Sequence, residues 1–251
     1  MIRLKTKAEI ESMKKGGAIL REVVDILLPK IHVGMTTEEI DLEAERLIVE
    51  RGAEPSFKRV DGYKWTTCVP VNEQTVHTPP SKKKKLKQGD VLTVDIGVYL
   101  DGLHTDYATT FVIGGKTDPK TEAFLKKGED TLEKAIKKVK VGERLGTIAA
   151  FIEKEMTGAG YYILKELTGH GVGRELHEDP YVLNYLDRPI EKTYKIPSGL
   201  TIAVEIIYSM GTERIAYEPN VPWSIITQDR SLSACFEHSI AVVDEETFIL
   251  A

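Results

Sequence analysis

The chain has 251 residues and a formal net charge of −5, and 29% of its residues are charged. A chain of this length can bury roughly three quarters of its unfolded surface, so it can form a large core without disulfide staples. The acidic balance argues against a general nucleic-acid-binding protein, and the two cysteines, Cys68 and Cys235, exclude a disulfide framework. Apolar runs are too short for a signal peptide or a membrane span, so the sequence predicts a soluble, cytoplasmic, globular protein.

Two capping boxes open the first predicted helices. Thr6 and Glu9 stand three residues apart, as do Thr36 and Glu39, and each pair can satisfy two backbone N–H groups at a helix start. Apolar residues recur at helical spacing after both pairs, and Gly52 is a natural stop for the second helix. Two amphipathic helices are therefore predicted at the start of the chain.

The second half of the chain repeats this order. Asp118-Pro119 supplies a cap followed by proline at the first helical position, which predicts another amphipathic helix. Gly160 follows Gly52 by 108 positions. We predict two similar α/β halves, about 1–113 and 114–251, that share one core in a single domain. Strands rich in β-branched residues are predicted at 91–99, 103–113, 161–168, 200–208 and 234–242.

A strong hairpin signal joins the first two predicted strands. The turn at 101–102 is Asp-Gly, which favours a two-residue loop. Such a turn places Asp95 opposite Ala108 and Asp106 opposite Gly97, with both aspartates on the same face. The two carboxylates are then diagonal neighbours, with Cβ atoms at most ~7–8 Å apart.

Two interpretations of this aspartate pair are open. Both side chains could simply point to water. The apolar neighbours Val94 and Val98 instead indicate a buried sheet, and Gly97 is expected to leave space above the backbone. Buried carboxylates without a counterion would repel each other and take up protons, so a buried Asp95–Asp106 pair favours a bound cation.

Two further acids stand inside apolar strands, Glu205 in LTIAVEIIY and Glu237 in SACFEHSIAVV. One such acid alone is more simply explained by a structural salt bridge, because ionised glutamate is rarely buried unpaired. Four acids and a glycine-flanked His170 instead form a mostly oxygen ligand set, which suits Mn²⁺, Fe²⁺ or Co²⁺, with Zn²⁺ also compatible. These ligands exceed the needs of one ion and favour two ions ~3.5–4 Å apart.

The segment GHGVG at 169–173 could also suggest a phosphate-binding loop. Its spacing differs from G-x-G-x-x-G, and no strand–helix turn of the required kind precedes it, which disfavours that function. We expect the glycines to let the backbone pass close to the metal centre, with His170 as the nitrogen ligand.

With these residues aligned, the sequence resembles type I methionine aminopeptidases over nearly its whole length. The resemblance rests on VNEQTVH at 71–77, DIGVYLDGLHTD at 95–106, GHGVGRELHEDP at 169–180, VE at 204–205 and DRSLSACFEHS at 229–239. It implies an α+β pita-bread fold, in which two pseudo-symmetric α/β halves surround a curved antiparallel sheet. It also implies removal of the N-terminal methionine from nascent polypeptides by a monomeric, dinuclear metallopeptidase.

The resemblance implies a role for each metal-site residue. Asp95 would chelate one ion, Asp106 and Glu237 would bridge both ions, and His170 and Glu205 would complete the second site. Glu205 would also carry the proton of the attacking water. The alternative for a single buried acid, a structural salt bridge, does not account for the whole set.

The resemblance also implies a substrate pocket. His77 and His177 would hydrogen-bond the scissile peptide group, although His77 alone would be read as an ordinary loop histidine. Tyr63, Cys68 and Trp223 match the pocket for an unbranched thioether side chain. Phe57 and Leu176 fall at pocket positions but differ from the usual residues, and all five apolar positions would also suit an ordinary core.

Smaller features of the sequence carry weaker implications. Asn72 and Ser233 match positions that help to hold a monovalent cation in the family. HTPP at 77–80 replaces the frequent His-Gly-Ile-Pro, and Ile206 stands where proline is usual, which puts loop geometry in doubt. The run Lys82–Lys85 is most simply a solvated loop, and its functional alternative is a contact with ribosomal RNA.

Two rival functions remain within this fold. An Xaa-Pro aminopeptidase or dipeptidase usually carries an additional N-terminal domain, and the residues after its last glutamate differ from EHS at 237–239. A non-catalytic binding relative would have lost metal ligands, whereas all five candidate ligands stand in this sequence.

Overall fold

Four α-helices, a ten-stranded antiparallel sheet and a three-stranded antiparallel sheet of order β10-β11-β3 make up the chain in the computed structural model, which describes residues 2–251. The helices are α1 Lys7–Leu27, α2 Thr37–Glu50, α3 Pro119–Ile136 and α4 Leu145–Gly158. The strands are β1 Glu54–Pro55, β2 Thr67–Cys68, β3 Gln74–Val76, β4 Val91–Leu100, β5 Leu103–Val112, β6 Tyr162–Ile163, β7 Gly169–Gly171, β8 Glu178–Val182, β9 Leu200–Ser209, β10 Ile215–Tyr217, β11 Ile225–Thr227, β12 Ser233–Val243 and β13 Glu246–Ile249.

The predicted helix starts are confirmed by their capping contacts. Thr6 accepts a hydrogen bond from the Glu9 backbone, and Thr36 accepts one from Glu39, each with the reciprocal bond of a capping box. The Asp118 side chain accepts from the first-turn backbone N–H groups of α3. These side chains satisfy donors that a helix start leaves without intrahelical partners.

The four long strands lie side by side in the ten-stranded sheet, whose main order is β1-β4-β5-β12-β9-β7-β8. The other three strands, β2, β6 and β13, pair with β4, β9 and β12. Helices α1 and α2 pack their apolar residues against β4, whereas α3 and α4 pack against β9 and β12. Each half of the chain therefore supplies two helices and two long antiparallel strands to one sheet. No helix in the described part of the chain is long and apolar enough to cross a membrane.

The predicted hairpin register is confirmed. Asp95 pairs with Ala108 and Gly97 pairs with Asp106, around a turn in which Asp101 and Gly102 both have positive φ. The space expected above Gly97 does not exist, because a Cβ there would lie 2.7 Å from the Cβ of Ser56. The lack of a side chain at Gly97 thus lets Ser56 pack against β4. The cavity that Asp95 and Asp106 line lies elsewhere on the hairpin.

The prediction of one strand over 161–168 is wrong. Only Tyr162–Ile163 is extended there, and a turn follows in which Leu167 N donates to Leu164 O. The next strand, β7, instead contains His170 and two of the glycines. A Cβ at Gly169 would lie 2.5 Å from Ala203 O, and one at Gly171 would lie 2.3 Å from Asp179 O. The glycines therefore allow close approach of neighbouring strands rather than of a metal centre.

Candidate metal centre and substrate pocket

Strand pairing brings the five predicted metal ligands to one place. Glu237 on β12 pairs with Glu205 on β9 on one side and with Ala108 on β5 on the other. Asp106 lies two residues from Ala108 along β5, and residues two apart share a face of a strand. All five candidates line one cavity of about 200 Å³: Asp95, Asp106, His170, Glu205 and Glu237.

The ligand atoms are close enough to share ions. Asp106, His170 and Glu237 each offer an atom within 4.8 Å of the others. His170 Nε2 lies 3.9 Å from Asp106 Oδ2 and 3.6 Å from Glu205 Oε1. The other ring nitrogen, His170 Nδ1, lies 2.9 Å from Gly171 O, so the ring is held with Nε2 toward the acids.

Unpartnered oxygen atoms show that these residues fit a cation. Among the described residues, Asp95 Oδ1 and Glu237 Oε1 are buried and have no hydrogen-bond partner. Within residues 2–251, no lysine or arginine lines the cavity. Buried carboxylates are rarely left without a counter-charge, and carboxylate and imidazole ligands suit divalent transition metals. The site is therefore compatible with metal binding.

Burial and mutual repulsion shift the titration of the acids. Burial raises the pKa of Asp106 to about 7. It raises the pKa values of Asp95, Glu205 and Glu237 well above the ordinary range, and neighbouring carboxylates add to each shift. Burial also lowers the pKa of His170 to about 3, which favours the neutral, ligating form of the ring.

We expect the metal-free protein to lose stability as pH rises from about 6.5 to about 8. Some histidines have a pKa that is lowered on folding, such as His77 at about 4. They stabilise the folded state fully once the pH exceeds about 6.5, the pKa of histidine in the unfolded chain. A carboxyl whose pKa is raised on folding stabilises the folded state fully below about pH 4, its pKa in the unfolded chain. For Asp106 this stabilisation is lost as the pH rises through about 7, its pKa in the folded protein. The acids therefore dominate the change in this window.

Thermal unfolding of chelator-treated protein across that pH range would measure the effect. Added Mn²⁺ should remove the decline, because a cation stabilises the ionised carboxylates. A melting temperature that rises with pH in the chelated protein would contradict the burial of these acids.

An apolar pocket adjoins the acids. Tyr63 packs edge-on against Trp223, with ring centroids 5.5 Å apart, and against Phe57 at 6.4 Å. Its hydroxyl donates to Thr67 O and lies 3.1 Å from Cys68 Sγ. The predicted pocket residues all line the cavity that contains the acids: Phe57, Tyr63, Cys68, Leu176 and Trp223.

Both candidate catalytic histidines lie where this pocket meets a second cavity of about 410 Å³. His77 and His177 line both cavities, as do His170 and Glu205. The His177 ring packs against the His170 ring, with centroids 4.4 Å apart. A substrate could therefore place one side chain in the apolar pocket while its following residues leave through the second cavity.

Some lining residues were not predicted. Val60 and Val76 line the apolar pocket, and Ile207 and Tyr181 line the second cavity. Ile207 could have been found from the sequence, because it stands two residues after Glu205 and therefore shares its face of β9. Val60, in an irregular loop, offers no such periodic signal.

The structure also locates the weaker candidates. Ser233 N donates to Asn72 O, so the two suggested cation-site residues are in contact. The Asn72 side chain donates to Asp90 and accepts from Val91 N. In the lysine run 82–85, the backbone packs near the start of α2, and Lys82, Lys83 and Lys85 are exposed.

Sequence comparison identifies the family. The model of metallopeptidase family M24 matches residues 11–244. A methionine aminopeptidase of Borreliella burgdorferi is 38% identical over 250 residues, covering 100% of this chain and 98% of the relative. Methionine aminopeptidase 1 of Bacillus subtilis is 35% identical, covering 97% of this chain and 96% of the relative.

Structural comparison gives the same result. The crystal structure of a methionine aminopeptidase from Thermotoga maritima superposes with a TM-score of 0.95 at 36% identity, covering 100% of this chain and 99% of the other. A prolidase from Pyrococcus furiosus, at 21% identity and a TM-score of 0.78, shares the fold, covering 98% of this chain and 64% of its own. These likenesses confirm the predicted α+β pita-bread fold. The chain belongs to metallopeptidase family M24 and, within it, to the methionine aminopeptidases.

Proposed function

We propose that this protein removes the N-terminal methionine from nascent polypeptides by hydrolysing the first peptide bond at a dinuclear metal centre. One observation carries the proposal: three buried acids, the half-buried Asp95 and one histidine line the same cavity as a set of apolar and aromatic side chains. The acids suit cations, and the wall suits an unbranched thioether side chain. The whole chain, 1–251, would act as one catalytic domain, with halves at about 1–113 and 114–251.

The four acids and His170 would hold two divalent ions, Mn²⁺, Fe²⁺, Co²⁺ or Zn²⁺. Asp95 would hold one ion, His170 and Glu205 would hold the other, and Asp106 and Glu237 would be shared by both. When bound, such ions polarise a carbonyl and lower the pKa of a water molecule. The Glu205 carboxylate, which lines both cavities, would accept the proton of the attacking water and pass it toward the leaving amine.

The two histidines would bind the scissile peptide group. Burial lowers the pKa of His77 to about 4, so its ring is neutral near pH 7 and can donate one N–H without carrying charge. Its backbone has φ of 56°, a left-handed conformation that few non-glycine residues adopt. Hydrogen bonds from His77 and His177 would stabilise the negative charge that develops on the substrate oxygen.

The apolar wall would select the first side chain. Phe57, Tyr63 and Trp223 line the space together with Cys68 and Leu176. Thioether sulfur contacts aromatic ring edges favourably, which supports a preference for methionine.

Further expectations concern the setting of the enzyme. We propose that it works as a cytoplasmic monomer and that the exposed lysines at 82–85 contact ribosomal RNA near the nascent chain. A monovalent cation would bind near Asn72 and Ser233, whose backbones are in contact.

Peptide hydrolysis tests the proposal directly. We expect Mn²⁺-loaded protein to release free methionine from Met-Ala-Ser, with far slower release of the first residue from Ala-Ala-Ser. An Xaa-Pro dipeptide series should be a poor substrate, because the residues of the apolar pocket fit the thioether. Faster cleavage of Xaa-Pro peptides would favour the prolidase function. No hydrolysis of any peptide, with metal bound, would favour a non-catalytic relative.

A further inference from the structure

The residues before and at the start of α1 hold the loop that carries His177. This loop lies between β7 and β8, and with the first residue of β8 it forms the segment 173–178. Lys5 forms an ion pair with Glu178 at the end of the loop. Arg174 Nη2 lies 2.6 Å from Glu9 Oε1, and Arg3 Nη1 lies 3.9 Å from Glu175 Oε1.

The Lys5–Glu178 pair differs from the other two because it is buried. The side chains of Lys5 and Glu178 are only 1% and 4% exposed, whereas those of Arg3 and Glu175 are 54% and 68% exposed. Exposed ion pairs contribute little, but removing one partner of a buried pair leaves an uncompensated charge. Of the three ion pairs, the one between Lys5 and Glu178 should therefore contribute most to holding the loop.

Both partners of this pair are fixed by additional hydrogen bonds. Lys5 N donates to Gly199 O at 2.7 Å, and Lys5 Nζ donates to Arg3 O at 3.0 Å. Glu178 Oε1 accepts from Glu175 N at 3.0 Å, which closes the loop on itself. The Glu178 carboxylate is thus held by the lysine on one side and by its own loop on the other.

The loop also packs closely on the lysine stem. A Cβ at Gly173 would lie 2.0 Å from Lys5 Cε, so only glycine leaves room for the lysine to pass. Gly173 O accepts from His104 N at 2.7 Å, which ties the same point to β5. The start and the end of the loop are therefore both held in contact with Lys5.

Leu176 and His177 lie between these two fixed points, and both line the apolar pocket. We propose that Lys5 is a positioning residue: by holding Glu178 and Gly173, it keeps His177 and Leu176 directed at the substrate. This inference rests on the proposed function, since it assumes that His177 binds the scissile peptide group. A small displacement of such a group is costly, because catalysis depends on its alignment.

The experiment compares Lys5→Met with Lys7→Met. Methionine keeps an unbranched stem over Gly173 but removes the charge. Lys7 is the matched control, because it stands two residues away and its ion pair with Asp244 is on the surface, with side chains 79% and 69% exposed. With Met-Ala-Ser as substrate, we expect kcat of Lys5→Met to fall on the order of ten- to a hundredfold, with bound Mn²⁺ unchanged. Lys7→Met should match wild type.

Hydrogen exchange provides a readout that does not depend on activity. Amides of residues 173–178 should exchange faster in Lys5→Met than in Lys7→Met, while those of β4 and β5 stay protected. The wild-type control separates the two hypotheses: if wild type does not hydrolyse Met-Ala-Ser, the proposed function fails, whereas faster loop exchange would still show that Lys5 holds the loop.

A double variant tests whether Lys5 acts through Glu178. Glu178→Gln keeps a side-chain oxygen for the Glu175 N–H and removes the charge that Lys5 pairs with. Glu178→Gln alone should also lower kcat, and adding Lys5→Met should cause little further loss. If Lys5→Met does not fold, Glu178→Gln alone decides. Full kcat with unchanged loop exchange in the folded variants, or equal losses in Lys7→Met, would overturn the inference.

Discussion

We expect Asp106→Asn to lose its divalent metal and its peptidase activity together. Asn keeps the size of the side chain, and its Oδ1 can still accept the hydrogen bond that Asp106 Oδ1 receives from Tyr107 N at 3.0 Å. The backbone bond from Asp106 N to Ser239 Oγ is also untouched. The substitution therefore removes a negative charge from the centre of the site and changes little else.

The effect on activity should be large. Losing a residue that only supports a metal ligand typically costs ten- to a hundredfold in affinity or activity, so loss of a proposed shared ligand should cost more than about 100-fold. Metal analysis of the purified variant and methionine release from Met-Ala-Ser measure the two losses. Asp25→Asn is a suitable control, because Asp25 is exposed on α1.

Although Asp106→Asn should lower activity, it should raise the stability of the metal-free protein. Asp106 contributes to the repulsion that raises the pKa values of Asp95, Glu205 and Glu237. Without it, the metal-free variant should melt at a higher temperature than metal-free wild type near pH 8, and Mn²⁺ should add little. Normal turnover by Asp106→Asn would rule out a shared role for this carboxylate.

The sequence predicts those parts of the fold that depend on local interactions. Side-chain caps at Thr6, Thr36 and Asp118 start three helices where the pattern places them. The Asp-Gly turn fixes a register that brings Asp95 and Asp106 to one face, since a one-residue slip would invert every side chain. Periodicity two along β9 and β12 likewise predicts which residues share a face with Glu205 and Glu237.

Other features depend on contacts between distant segments and could not be read from local patterns. The strand predicted at 161–168 is interrupted by a turn, although its apolar residues resemble a strand. Gly97 is required by Ser56, which stands 41 positions earlier in the chain. The apolar pocket combines residues near 57–68, 176 and 223, and only the family resemblance assembles them before the structure does.

His77→Ala should keep its metal and lose turnover, which separates the proposed substrate-binding histidines from the metal ligands. His77 belongs to the loop after β3 and lines both cavities, but it is not in the compact Asp106–His170–Glu237 cluster. Removing one hydrogen-bond donor from a developing oxyanion typically costs 10²- to 10³-fold in kcat, and we expect a loss of about this size. The exposed His32 gives a control variant, His32→Ala.

The left-handed backbone at His77 makes a second substitution informative. Histidine and alanine carry the same Cβ strain at φ of 56°, so His77→Ala should lower the melting temperature only through the contacts that the ring loses. Asn tolerates this conformation and offers an N–H, so His77→Asn should recover stability and part of kcat. Recovery of stability without any recovery of kcat would mean that the imidazole itself is needed. Loss of metal in His77→Ala would instead place His77 among the ligands, because a residue that only contacts substrate leaves the carboxylate cluster intact.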